Sequence, residues 1–287
     1  MASGDRVGIR KMYKLFINGA FARSESARSD RIGGENVAHA SRKDVRDAVV
    51  AARAGLGTWS SQSSATRGLV LYRLAEMMEA RAAELAAQLV VGGTVDEAEA
   101  RREVTAAIDR TVWYAGWADK YLAVASTRNP VAGPHFNFST TEPTGVVALL
   151  APDEPALLGL VTAVIPALVS GNGVVVVAGE RDPRTAVVFA ECVATSDLPA
   201  GACNVLTGLR SELAPILAGH MDVNALGGFG VGTESERKLD ELGAENVKRV
   251  RFEDAPPREG WFDAGYDQLD RVLAYTELKT IWHPARI

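Results

Sequence analysis

Between Val146 and Phe252 the chain alternates short runs of β-branched and aliphatic residues with helix-length stretches, and this alternation leaves few folds open. Strand-like runs fall at Val146–Leu150, Val174–Val177, Asn204–Leu206, Val223–Leu226 and Val247–Phe252. Helical stretches at Ala156–Val169, Pro183–Ser196, Ser211–Ala218 and Thr233–Leu242 separate them. Strands joined by crossover helices pair in parallel and are covered on both faces, so the pattern predicts an α/β fold: a doubly wound, Rossmann-like parallel-sheet domain over residues 144–253. In such a domain ligands sit beyond the carboxyl ends of the strands. The loops after each run are therefore the places to search for a site.

The flanking segments have a different grain. Lys14–Phe21 reads as a short hairpin whose turn is Asn18-Gly19. Helices are then expected from Ser41, with Asp44 as its capping partner, through Ala54, and over Ala65–Val90 and Val95–Tyr121, the last placing Val104, Ile108 and Trp113 near one face. These make residues 12–128 an N-terminal hairpin and helical region. Asn129–Pro143, rich in Pro, Gly, Ser and Thr around an alternating His135-Phe136-Asn137-Phe138, is expected to be an exposed β-arm. Residues 254–287 form a linker that ends in an apolar alternation from Tyr275 to Trp282. That tail reads as a strand without a sequential partner, and an isolated edge invites pairing with another chain.

Several function classes are disfavoured. Pro155–Gly179 carries no charge and is long enough to cross a bilayer, but Pro166 and the turn cluster Ser170-Gly171-Asn172-Gly173 divide it into a buried helix and a buried strand. A net charge of −5 with no basic run argues against nucleic acid. The four histidines have no metal-ligand spacing. Cys192 and Cys203 cannot build a disulfide framework, and Met1–Arg10 lacks the apolar core of a secretory signal, which together suggest a reducing cytoplasm. Both cysteines fall in apolar settings where a thiol serves as a small hydrophobe, so neither is expected to be a nucleophile.

Three loops hold candidate residues. Gly227-Gly228-Phe229-Gly230-Val231-Gly232 ends a strand and leads into a helix that Thr233 and Glu236 are placed to cap; its glycines could bring backbone N–H groups against a phosphate, or simply make a flexible turn. Glu180, after the second strand, could accept hydrogen bonds from ribose hydroxyls, or belong with Arg181 and Asp182 to a solvated loop. Pro152-Asp153-Glu154-Pro155 is a rigid acidic turn that could share a proton, bind a cation or cap the next helix.

The segments KLFINGAF (14–21), AVVAARAGLGTW (48–59), YAGWADKY (114–121), EPTGVV (142–147), PALVSGN (166–172), DLPAGACNVLTG (197–208) and NVKRV (246–250), in this order, resemble the N-terminal half of the aldehyde dehydrogenase superfamily from Tyr13 to about Glu253. The stretch Asp267–Pro284 resembles that family's C-terminal oligomerisation strand. In the family a long catalytic domain lies between the two, where this chain has little more than Asp254–Asp263. The resemblance therefore implies a member without the cysteine that attacks the aldehyde. It also implies cofactor contacts at Pro152, Glu180, Gly208, Gly230 and Gly232, and places Glu253 where the family has its general base. Departures are equally specific. The family's Pro-Trp-Asn-Phe-Pro turn is here the acidic turn, one residue short; Val177 stands for the ribose-binding lysine, Val231 follows Gly230 in place of the phosphate-binding serine, and Arg210 replaces a glycine. Losing a charge-assisted hydrogen bond and a hydroxyl donor costs on the order of 2–4 kcal/mol, so NAD(P) is expected to bind weakly or not at all.

With no thiol and no oxyanion donor, no catalytic residue is assigned and the chain alone is not expected to oxidise aldehydes. The retained arm and tail imply a hetero-oligomer with a full-length aldehyde dehydrogenase, which this chain would support or regulate, or else self-association. The alternatives are a sensor that binds NAD(P) or an adenine nucleotide through Glu180, Gly208 and Gly230, an oxidoreductase active only within a complex, and an enzyme of changed chemistry based on Asp153, Glu154 and Glu253.

Overall fold

The computed structural model describes residues 9–93 and 95–284. The expectation for Met1–Arg10 lies outside the described residues up to position 8. Five strands open the chain: β1 (Met12–Tyr13), β2 (Leu15–Ile17), β3 (Ala20–Ala22), β4 (Ser29–Ile32) and β5 (Glu35–Ala38). Helices α1 (Arg42–Ser60), α2 (Ser64–Ala80), α3 (Ala82–Val91), α4 (Glu97–Trp117) and α5 (Tyr121–Ala125) follow, then β6 (Thr127–Asn129) and β7 (His135–Pro143). The alternating region supplies β8 (Val146–Leu150), α6 (Leu158–Val169), β9 (Gly173–Val177), α7 (Arg184–Val193), β10 (Cys203–Leu206), α8 (Arg210–Ala218), β11 (Ala225–Phe229), α9 (Thr233–Ala244) and β12 (Arg249–Glu253). Two 3₁₀ turns, Arg258–Phe262 and Ala264–Tyr266, lead to α10 (Asp270–Leu273) and β13 (Thr276–Pro284).

The doubly wound sheet expected from the alternation is present, with strand order β12-β11-β8-β9-β10-β2-β3. The first five strands are parallel. Starting from the centre, the chain winds outward through β9 and β10 and then returns to lay β11 on the other side of β8. The switch point therefore falls between β8 and β11. All residues of β8, β9, β10 and β11 are buried, as a sheet covered on both faces requires. Helix α6 has no polar face because it has no exposed face: all its residues are buried between the sheet and α4. No helix among the described residues is long and apolar enough to cross a membrane.

The hairpin turn is as expected, with Asn18 and Gly19 both at positive φ (53° and 74°). Strand β2 then joins the far edge of the main sheet, antiparallel to β10. The box between Ser41 and Asp44 caps α1, which runs past Ala54 to Ser60. Gly55 lets α1 pass directly over the Gly201–Ala202 backbone, which a Cβ there would strike.

Other expectations need correction. The stretch Ala65–Val90 is two helices that break at Arg81, and Val95–Tyr121 begins at Glu97 and ends at Trp117. The β4–β5 hairpin, turning at Gly33-Gly34, was not foreseen. Strands β11 and β12 begin two residues later than expected. Val223 precedes β11, Val247 sits exposed in a turn with φ 56°, and Gly227, Gly228 and Phe229 belong to the strand. The Thr233–Glu236 box does not form; Gly232 is the N-cap of α9 and makes no side-chain cap. The tail does have a partner within the chain: β13 pairs antiparallel with β7 along its full nine residues. The outer sheet has the order β13-β7-β6, which leaves β13 on its edge.

Candidate functional site

The carboxyl ends of β8 and β11 face a cavity of about 280 Å³ between α8 and α9. Leu150 forms its floor, Ala214 and Leu239 its walls, and Arg210, Ser211 and Lys238 part of its rim. Close packing at the switch point makes this mouth. Gly228 has φ +142°, and a Cβ there would sit against the Leu150 backbone carbonyl. A Cβ on Gly159 would strike the Pro152 ring, and one on Gly179 would lie 2.6 Å from the Pro152 carbonyl oxygen. Pro152 is thus wedged between two glycines as a structural support for the loop.

The acidic turn is tied down by cations and amides. Asp153 Oδ1 accepts from the Glu180 N–H at 2.6 Å, the Arg181 N–H at 3.4 Å and an Arg210 Nη2 at 3.2 Å. Glu154 pairs with Arg181. Neither carboxylate caps α6, contrary to the commonest role for such a turn. That work falls to Glu103 of α4, whose Oε1 accepts from the Leu157 and Leu158 N–H groups at 2.8 and 3.3 Å.

Glu180 lies at the mouth, but its Oε1 accepts from the Arg210 N–H at 2.5 Å and so caps α8. The Arg210 guanidinium folds back to donate to the Ala151 carbonyl as well as to Asp153. Its Nε is buried without a partner. Gly208 has φ +143° and packs against His39 and Ala40, behind the mouth. Gly230 and Gly232 hold positive φ (63° and 78°) and lie in open surroundings, as a turn at the strand end requires. The Gly230 N–H is already used, donating to the Glu253 carbonyl at 3.0 Å. The first turn of α9 carries Glu234 and Glu236, which oppose the attraction of a helix N-terminus for anions. Val177 is fully buried.

On the β11–β12 side of the sheet the cleft is covered by the chain itself. Arg271 of α10 donates from Nη2 to Glu253 Oε2 at 2.7 Å and from Nε to both carboxylate oxygens at 3.1 and 3.2 Å. Trp261 is buried and meets Phe229 edge-on with ring centroids 5.0 Å apart. About 10 Å³ remains among Glu253, Arg271 and Tyr275, room for one water.

One face of α4 holds this covering segment in place. Arg258 bonds Glu99 and Glu103 at 3.0 and 2.9 Å, and Arg102 bonds Glu259 at 2.8 Å. Arg110 donates to Thr162 and to the Trp261 carbonyl, each at 2.7 Å, and pairs with Asp267. Asn172 fixes its far end, donating from Nδ2 to the Tyr275 carbonyl at 2.9 Å while its Oδ1 accepts from Gly145 N–H at 2.8 Å.

Sequence reasoning missed Glu103, Arg110, Trp261 and Arg271 as shapers of the cleft. The spacing of Glu99, Arg102, Glu103 and Arg110 puts them on one helix face and was an available signal. Nothing local marks Arg271. Neither cysteine reaches the cleft. Both are buried, and burial pushes the thiols up to about 11 for Cys192 and about 12 for Cys203. No group of three or more His, Cys, Asp or Glu side chains among the described residues is arranged to hold a metal ion.

Comparison with known proteins agrees with this geometry. The aldehyde dehydrogenase family model matches residues 26–255. A putative aldehyde dehydrogenase, DhaS, of Bacillus subtilis (strain 168) is 31% identical over 250 residues, covering 84% of this chain and 50% of that protein. The NADP/NAD-dependent aldehyde dehydrogenase PuuC of Escherichia coli (strain K12) is 31% identical over 272 residues, covering 91% of this chain and 52% of that one. The crystal structure of an NAD-dependent aldehyde dehydrogenase from Sinorhizobium meliloti superposes with a TM-score of 0.79 at 29% identity, over 86% of this chain and 51% of its own. The chain thus spans about half the length of these relatives. With a Rossmann-like sheet and a family match over most of its length, the chain belongs to the aldehyde dehydrogenase family.

Proposed function

We propose that this protein is a noncatalytic aldehyde dehydrogenase homologue that assembles with a thiol-bearing, full-length relative and supports or regulates it. The observation that carries the first half is the pairing of Arg271 with Glu253. The position where the family resemblance puts a general base is an ion pair under the chain's own C-terminal segment, and no thiol lies within the cleft. A carboxylate engaged by a guanidinium at both oxygens is not free to approach a proton on a substrate.

The second half is supported by β13. Its inner edge is taken by β7, while among the described residues no strand pairs with its outer edge, where the Thr276 carbonyl accepts from Arg249. Leu278 and Trp282, on one face of the strand, are 65% and 60% exposed. An edge of this kind accepts another strand through main-chain hydrogen bonds while its apolar side chains are covered.

The test is the native mass of the protein isolated from its own cells with bound partners intact. A stoichiometric complex with a full-length aldehyde dehydrogenase is expected, and a chain ending at Ala274 should lose it while the parallel-sheet domain stays folded. A lone monomer or homodimer, or assembly that survives the deletion, overturns the partner reading. Aldehyde oxidation by the purified chain alone overturns the noncatalytic one.

A further inference from the structure

We infer that the groove floored by the C-terminal half of α8 docks an amphipathic helix of a partner protein, one whose apolar face is bordered on one side by carboxylates. The groove exists because α8 is short. Its nine residues pack between the longer α1 and α9, and the end of α8 is left as the floor of an open depression of about 770 Å³. Pro215, Ile216 and Gly219 make that floor, Gly219 adding depth because it has no side chain, and Met221 and Leu242 extend the apolar lining. The lining comes from helices and the turn after α8, so no strand edge is offered to an extended peptide, and no Phe, Tyr or Trp is present to hold a polyproline segment. A helix, whose backbone is satisfied internally, is the remaining occupant. From Pro215 to Gly219 the floor runs about 6 Å, the separation of two side chains one turn apart on a guest helix.

Charge gives the groove its selectivity. The chain carries a net charge of −5, yet Arg42, Lys43 and Arg46 stand together on the α1 side, with Arg42 and Arg46 one turn apart. All three are exposed. Arg42 makes no ion pair among the described residues, Lys43 reaches Glu25 only at 3.8 Å, and Arg46 meets Asp47 at 3.3 Å. Pairs this exposed are worth little, so carboxylates of a guest can replace them. Apolar surface continues beyond the floor. Met221 is 65% exposed, and Asn246 donates to the Met221 carbonyl at 2.9 Å, which holds the turn bearing the 90% exposed Val247 next to it. An apolar floor with cations along one side fits a helix whose apolar anchors are bordered by Asp or Glu and repels one bordered by Lys or Arg. The groove shares no residue with the β13 edge, and the inference does not rest on assembly through that strand.

Fluorescence anisotropy of the full chain with labelled peptides of about 18 residues, long enough to be helical, tests it. Two peptides share the same leucines at one-turn spacing and differ only in a border of glutamates or lysines; a third keeps the glutamates and has serine in place of leucine. Saturable binding of the glutamate peptide is expected at about 100 µM or tighter, with the lysine and serine peptides weaker by about tenfold or more. Arg42→Glu together with Arg46→Glu, both exposed and near the start of α1 where acidic side chains suit the helix, should reverse the preference so that the lysine peptide binds better. A gain of binding does not come from a damaged fold. Ile216→Ser should weaken the glutamate peptide several-fold. The inference fails if the glutamate peptide does not saturate the protein at about 1 mM, if the lysine peptide binds as well, or if the double variant leaves the order unchanged. Self-association of the chain that Ile216→Ser abolishes would assign the groove to a second copy and overturn it as well.

Discussion

Replacing Glu103 by alanine should destabilise the protein by about 3 kcal/mol or more, and the reason lies in what the carboxylate holds. Its Oε1 is the acceptor for the N–H groups of Leu157 and Leu158, at the start of a helix with no cap of its own, and its Oε2 accepts from Arg258 at 2.9 Å. Without the side chain, two buried amides lose their acceptor, at roughly 1–3 kcal/mol each, while Arg258 keeps Glu99. Removing a desolvated charge offsets part of this loss. In a chain of this size each kcal/mol shifts Tm by about 2–4 °C, so a drop of about 6–12 °C is expected by calorimetry. Glu103→Gln keeps the carbonyl acceptor for both amides and should cost only about 1 kcal/mol. The pH dependence separates the variants further. Burial raises the Glu103 pKa above its ordinary 4.5, so its protonated form is the one the fold favours. That contribution is complete below the unfolded-state value and is lost as pH rises through the higher folded-state value, a decline the glutamine variant lacks. Equal losses for alanine and glutamine would show that the ion pair to Arg258, and not the capping of α6, is what matters. An alanine cost below about 1 kcal/mol would refute both.

Other outcomes follow from the same geometry. With thiols pushed up to about 11 and about 12 by burial, Cys192 and Cys203 should resist a thiol-specific chromogenic reagent at pH 8 in the native protein and react fully in guanidinium; rapid native labelling would contradict their burial. Gly228→Ala should cost about 3 kcal/mol or more in urea melts, since its Cβ meets the Leu150 carbonyl, whereas Gly232→Ala, with nothing within 4 Å, should cost about 1 kcal/mol from its φ of +78° alone. Arg271→Met leaves Glu253 without its guanidinium and should lower stability by about 3 kcal/mol and speed proteolysis between residues 254 and 275; unchanged digestion would mean that the apolar contacts of Trp261 hold the segment unaided.

The parallel sheet was legible because its signal is local and repeated. Valines in β9 and the uncharged α6 announce burial on every side, and Asn18-Gly19 announces its turn. The β4–β5 hairpin was not legible, because Ser29-Asp30-Arg31-Ile32 is half exposed and carries little apolar alternation. The glycine run misled for a related reason. Consecutive glycines read as a loop, yet two of them lie in β11 because the neighbouring strand leaves no room for a side chain. The loops singled out from sequence lie at the carboxyl ends of β8, β9, β10 and β11, but their chemistry depends on groups distant in the chain. Glu180 was marked for a ribose without any sign that the Arg210 amide would claim it, and Glu253 was marked without any sign of Arg271. Such pairings are set by tertiary packing, which a local pattern does not encode.

The far edge of the main sheet also sets the order in which the molecule can be made. Phe16 of β2 lies opposite Val205 of β10, and the Asn18 amide donates to the Asn204 side chain across a separation of 186 residues. At a synthesis rate of about 5–20 residues per second, those first strands wait roughly 10–40 s for their neighbour to be translated. During that interval β3 is the only sheet neighbour β2 has among the described residues. The edge of β2 that β10 finally occupies is thus completed only after most of the parallel sheet has been made, and until then it is an open strand edge available to other chains.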